Sequence, residues 1–367
     1  MNTSPKLLIS RLMRGLLLVT VAAALLGGLG AGLARLGIPL GSPMNHWILV
    51  HGPLMICGFL GTLICLERAV ALQSRYRWSM LVPACTAVGA LFLLASPNAV
   101  IAKVFITLGS IGFSGILILM FRLHPSRDIL TMGAGAACWV VGNILWLTGS
   151  PVFQVVHLWS AFLILTIVGE RLELSRVRRL TPQVIRLFTI VTSIYLVGVA
   201  LTIINLDVGI RLLGVGAVLL ALWLYKYDIA GQTIRQKGLT RYIAACLLLG
   251  YFWLGFGGVI AIWKGAVYAG ADYAIILHAF LLGFVFSMIF GHAPIIFPAL
   301  TNLKFQYTPL FYVHLFLLHS SMAYRMYGSL IGDYTMQQQG GFLNVMSVLL
   351  FLVVTLTTVA RSNLRRV

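Results

Sequence analysis

Eight histidines carry most of the chemistry this chain could do: His46, His51, His124, His157, His278, His292, His314 and His319. All but His46 and His124 fall inside long apolar runs. A polar side chain in hydrocarbon is costly without a partner, so by default it marks a functional position. Neutral imidazole is also a common metal ligand and a proton carrier. No nucleophile elbow, phosphate-binding glycine loop, HExxH pair or dinucleotide fingerprint occurs. The chemistry within reach is coordination of a metal or a haem iron, or the movement of protons.

Spacing says which histidines could meet. His51, His157 and His278 each stand about five residues into an apolar run, 106 and 121 residues apart. At 1.5 Å rise per residue that depth is roughly 8 Å below the helix end. Two such imidazoles on neighbouring helices could clamp a haem iron, and the third could hold copper or close the pocket. The competing reading is three unrelated interfacial histidines bonded to backbone or headgroups. After His51, residues Met55, Gly58 and Thr62 recur on one helical face, where Gly58 leaves room for a flat macrocycle or for close helix packing.

His278 and His292 differ by about 40° in azimuth on a regular helix, so they share a face. The run Gly291-His292-Ala293-Pro294 is expected to interrupt that helix, because Pro294 removes a backbone donor. Glu67, Glu170 and His314 belong to the same end of the molecule as His292. A second metal or a proton-handling cluster at His292 and His314 is one reading. Ion pairs Glu67-Arg68 and Glu170-Arg171 at helix ends are the other. His319 lies about 140° round from His314 on an ideal helix, so the two do not face one site. His46 and His124 read as interfacial.

The elements that position these residues follow from composition. The chain has 367 residues, of which 60% are apolar and 9% charged, and its mean hydropathy is +0.99. A soluble domain carries about 25% charged residues. These values exclude a soluble enzyme, a disulfide scaffold, a disordered chain and an ordinary nucleic-acid-binding domain. Twelve apolar runs of spanning length recur, at 14–36, 46–72, 78–96, 99–121, 129–149, 152–170, 184–204, 208–226, 240–263, 272–297, 309–330 and 340–360. Backbone groups in hydrocarbon must be satisfied within the segment, so the runs are helices, and the alternating pattern of a strand barrel is missing. The fold class is all-α: a polytopic membrane protein of about twelve transmembrane helices.

The net charge of +18 is a mark of topology. With a cytoplasmic N-terminus, 21 of the 26 Lys and Arg face inward, and Arg35, Lys103, Arg211, Lys264 and Arg325 face outward. The chain then reads as a multi-pass protein of the cytoplasmic membrane with both termini inside. The run 15–34 is long enough to be a retained first helix. Helices two, six and ten each carry one early histidine, which suggests three quasi-equivalent four-helix arcs, 1–121, 122–226 and 227–367, within a single membrane domain 1–367. Cys57, Cys65, Cys85, Cys138 and Cys246 form no C-x-x-C pair and read as small buried hydrophobes. Trp47, Trp146, Trp159 and Trp263 fall at outer helix ends and read as an interfacial belt.

Twelve helices with histidines on the second, sixth and tenth resemble subunit I of the haem-copper oxidase superfamily. That resemblance implies haem b on His51 and His278, with His157 on the copper-ligand helix. The run 185–204 has no histidine where that family has two further copper ligands, so a binuclear oxygen-reducing centre is not implied. The stretch His278-Ala279 followed by Gly291-His292-Ala293-Pro294 is similar to the NnrS-like haem-copper membrane proteins linked to nitric-oxide stress, without their final Gly-Arg. The expectation is a haem-binding membrane protein for nitric-oxide handling or electron transfer, possible as an oxidoreductase. Its partners would be the lipid bilayer and a small gaseous ligand or redox partner, with no nucleic acid. A twelve-helix transporter with a mid-membrane polar site is the alternative, and a scaffold with purely structural histidines is a third.

Overall fold

Each apolar run folds as a helix, because a helix is the one local structure that pairs every backbone group within the run. The computed structural model describes residues 5–38, 47–96, 98–301 and 303–364, with no strand among them. His46 lies outside the described residues. Twelve long helices follow in order: α1 Pro5–Arg35, α2 Ile48–Leu72, α3 Arg77–Ala95, α4 Val100–Leu123, α5 Arg127–Leu147, α6 Val152–Leu174, α7 Pro182–Leu201, α8 Leu206–Tyr227, α9 Gly238–Lys264, α10 Gly270–Thr301, α11 Phe311–Ile331 and α12 Tyr334–Leu364. All twelve expected segments are helical. Eleven of them are long and apolar enough to cross a membrane, by length and composition, among the described residues. The one outside that set is α11. Its 21 residues are long enough at about 1.5 Å each, but they include His314, His319, Ser320, Ser321 and Arg325.

Helix ends follow local rules. Thr181 caps α7 by accepting from the Val184 amide, with Pro182 in the first turn. Asn205 caps α8 in the same way through Val208. Gly332, at φ +77°, closes α11 in the left-handed conformation that residues with a Cβ resist.

The expected break at Pro294 does not occur. Helix α10 runs on as regular α-helix over Ser287–Thr301, through both Pro294 and Pro298. Each proline forfeits one hydrogen bond, and in hydrocarbon no water competes for the rest. The irregularity lies earlier, at Ala279–Phe286.

The chain packs as two compact units. The first comprises Met1–Pro125, Ala136–Trp159 and Ile296–Leu303, and the second Ser126–Gly135, Ser160–Ile295 and Lys304–Val367. In the first, α1 packs on α2 and α3, and α3 pairs with α4. Leu17, Leu66, Ala69, Met80, Ala87 and Leu300 form one core cluster there. In the second, α8 packs between α7 and α9, α9 lies on α10, and α11 pairs with α12. The polar side of α11 faces inward in this unit: the Asn344 amide of α12 meets Ser321 Oγ at 2.7 Å.

Two of the four belt tryptophans are interior. Trp146 and Trp159 are 5% and 0% exposed and meet edge to face at 5.3 Å. Only Trp263, 61% exposed, stands clear. All five cysteines are free thiols.

Candidate functional site

Helices α2 and α10 share a departure from regular geometry. In α2, residues Leu54–Gly61 are π-helical, beginning three residues after His51. In α10, residues Ala279–Phe286 are π-helical, beginning directly after His278. π-Helix is rare, usually a single turn, and frequent at functional positions; here each stretch has eight residues. Helix α6, which carries His157, is α-helical throughout. Helices α2 and α10 thus share a backbone irregularity that α6 lacks.

The π stretches also change the face arithmetic. A wider turn advances by less than 100° per residue, so the 40° offset expected between His278 and His292 does not hold. The same applies to Gly58 and Thr62 after His51. Gly58 faces Ala90 and Ala24, so the room it leaves is taken by close helix packing.

A tryptophan supports each π stretch. In the first unit Trp139 of α5 lies on Gly61, where a Cβ would come within 2.6 Å of the indole. Its Nε1–H donates to Cys57 Sγ at 3.4 Å, and the Cys57 thiol donates to Asn143 Oδ1 at 3.7 Å. In the second unit Trp253 of α9 lies on Gly283, and a Cβ there would collide with the indole. Trp253 Nε1–H donates to His319 Nδ1 at 2.8 Å. His319 Nε2–H is thereby the donor to Ser287 Oγ, at 3.3 Å, and Ser287 donates to the Gly283 carbonyl at 2.5 Å. The circuit closes on the glycine where it began. Sequence reasoning placed His319 away from His314, which agrees, but missed this role. The signal was a tryptophan, a histidine and a serine at helix depth, on three different helices.

His51, His278 and His292 are each fixed in one tautomer. His51 Nδ1 meets the Gly28 carbonyl of α1 at 2.7 Å, across a helix interface. Gly32 admits the ring, since a Cβ there would come 2.9 Å from His51 Cε1. His278 and His292 bond the carbonyls of Ala274 and Met288 in their own helix, both at 2.7 Å. A carbonyl only accepts, so Nδ1 carries the proton in all three and Nε2 carries the lone pair. Metal-ligating histidines are held in this way.

His157 is 2% exposed, and its Nε2 has no hydrogen-bond partner. Helix contacts give its level. Gly142 faces Leu158 and Trp159, and Gly52 faces Val152, so Asn143 of α5 and Cys57 of α2 fall opposite residue 157. Cys57, Asn143 and His157 thus form one polar layer within the first unit, all nearly or fully buried. His314 is fully buried in the second unit, boxed by Phe290, Phe311 and Phe351, with its Nε2 against the Tyr242 hydroxyl at 3.0 Å. Among the described residues no three His, Cys, Asp or Glu side chains gather into a group able to hold a metal ion.

His292 lies within electrostatic reach of Glu170, Arg171 and Asp228. The partner of Arg171 is Asp228: Nε–Oδ2 is 2.8 Å and the second guanidinium nitrogen to Oδ1 is 2.9 Å. The pair is almost sealed, with side chains 3% and 0% exposed. Asp228 also accepts from the Ala230 amide at 2.7 Å and from Ser175 Oγ at 3.4 Å. Adjacency along the helix gave no hint of this partner, because Asp228 lies 57 positions away on another part of the chain. Asp228 had no sequence signal beyond scarcity: it is one of eight acidic residues facing 26 basic ones.

Helices of this length and apolarity define a polytopic α-helical membrane protein. A family model described as "Domain of unknown function (DUF8744)" matches residues 13–360. The chain belongs to the DUF8744 family. No curated protein matches it.

Proposed function

We propose that the protein is a haem-binding protein of the cytoplasmic membrane, multi-pass with both termini inside, in which His51 and His278 would hold haem b. One observation carries this reading. Both imidazoles present Nε2 as the lone-pair atom, held so by an Nδ1–H bond to a carbonyl at 2.7 Å, and both stand at the head of an eight-residue π stretch. A porphyrin brings four nitrogen donors of its own, so one or two well-held imidazoles suffice where a bare ion would need a larger set. The proposal does not extend to copper at His157, His292 or His314, because among the described residues no three-residue donor group accompanies them.

When bound, such a haem would supply one-electron chemistry, and a small gaseous ligand would reach the iron only by displacing one of the two imidazoles. The resemblance in sequence attaches nitric-oxide handling or electron transfer to it. The chain's own residues hold the two imidazoles in place, through the carbonyls of Gly28 and Ala274. The test is an absorbance spectrum of protein purified from haem-supplied cells. A b-type Soret band is expected, and His51→Ala and His278→Ala should each abolish or shift it. A colourless preparation overturns the reading. It would favour the second one, a transporter, for which helices interrupted near mid-length, as α2 and α10 are, also speak.

A further inference from the structure

At the start of α9 a cavity of about 230 Å³ opens between Lys237, Gly238, Arg241, Tyr307 and Tyr312. A water occupies roughly 30 Å³ of liquid, so the space admits a tetrahedral anion with part of its hydration. Every chemical feature of the lining favours negative charge. Lys237 and Arg241 are exposed cations. Among the described residues they have no carboxylate partner. Gly238 begins a helix of 27 residues, its first-turn amides have no side-chain cap, and no acidic residue lies in that turn. Uncapped amides and the helix dipole attract anions there.

The tyrosines are held in place. Tyr242, fully buried beneath, meets Tyr312 edge to face at 5.5 Å and Tyr307 at 6.3 Å. Tyr307 in turn stacks on Phe311 at 6.2 Å. Arg241 lies within electrostatic reach of the Tyr312 hydroxyl. Helix α9 is long and apolar enough to cross a membrane and begins here, which puts the cavity at the level of a membrane interface. Basic pockets between helix ends bind lipid headgroups.

We infer that this cavity is a binding site for a phosphate group, carried by an anionic phospholipid or free in solution. Two cations and two tyrosines line it, together with Gly238, the first residue of α9. The inference does not depend on haem.

The experiment uses delipidated full-length protein and two probes, phosphatidate in phosphatidylcholine nanodiscs and inorganic phosphate in detergent. Binding is read by native mass spectrometry and by thermal shift. A nearby cation contributes about fivefold in affinity. Arg241→Ala should therefore lose about fivefold, and Lys237→Ala with Arg241→Ala about thirtyfold. Arg235→Ala, an exposed cation outside the cavity, should bind like the parent and serves as control for surface charge. A response to phosphatidate alone assigns the site to lipid, and a response to inorganic phosphate assigns it to the free anion. The inference is overturned if neither probe binds, if the double variant binds as the parent does, or if Arg235→Ala loses as much as Arg241→Ala.

Discussion

Replacing Asp228 with alanine leaves the Arg171 guanidinium sealed in the protein without its counter-ion. Breaking a buried pair by removing one partner costs about 3–5 kcal/mol, far more than deleting an exposed pair. At about 1.4 kcal/mol per decade, that is roughly two to three and a half orders of magnitude in the folding equilibrium. The structure places this pair at the costly end. Both side chains are at most 3% exposed, the contact is bidentate, and Asp228 is also the acceptor for the Ala230 amide. Asp228→Asn keeps the shape and one acceptor oxygen while removing the charge, so its loss should be smaller. Arg171→Met combined with Asp228→Leu should recover part of the loss of either single variant, since a matched apolar pair leaves no stranded charge although the Ala230 amide still lacks its acceptor. The assay is unfolding in mixed detergent micelles, followed by tryptophan fluorescence and read as a double-mutant cycle. Single variants within about 0.5 kcal/mol of the parent, or a double variant showing the sum of the two losses, would refute the reasoning.

Two further perturbations test the supports of the histidine-bearing helices. Trp253→Phe keeps the ring on Gly283 but removes the indole donor, leaving His319 Nδ1 unsatisfied; a loss of about 1–3 kcal/mol is expected by the same unfolding assay. Trp139→Phe should cost less, because its acceptor is a thiol. Gly32→Val should drive a side chain into the His51 ring and break the bond to Gly28; overpacking costs about 1–3 kcal/mol, and if haem binds at His51 the Soret band should shift as well. An unshifted band in that variant, with His51→Ala also unaffected, separates a structural role from ligation.

Helix number and boundaries were legible because they depend on local composition. The run 152–170 became Val152–Leu174 and the run 208–226 became Leu206–Tyr227. The run 309–330 reads as one more apolar span, although its two histidines, its serines and Arg325 leave α11 outside the set of helices apolar enough to cross a membrane. The π stretches were not legible, since nothing in Leu54–Gly61 or Ala279–Phe286 distinguishes them from other apolar helix. They form where Trp139 and Trp253 press on Gly61 and Gly283, and those tryptophans come from other helices. Pro294 misled in the opposite direction: a rule learned in water overstates the damage of one missing donor in an apolar setting.

By itself the amino-acid order determined that this chain is a bundle of apolar helices, roughly where each begins and ends, and that its few polar side chains carry whatever chemistry it has. Those properties are settled within a window of about twenty residues, by hydropathy and the need to pair the backbone. Only the tertiary structure decided the pairings: Arg171 with Asp228, His51 with the carbonyl of Gly28, His319 between Trp253 and Ser287. Each joins residues from 23 to 66 positions apart. Which polar group meets which depends on how helix faces turn toward one another, and periodicity along a single helix does not carry that information.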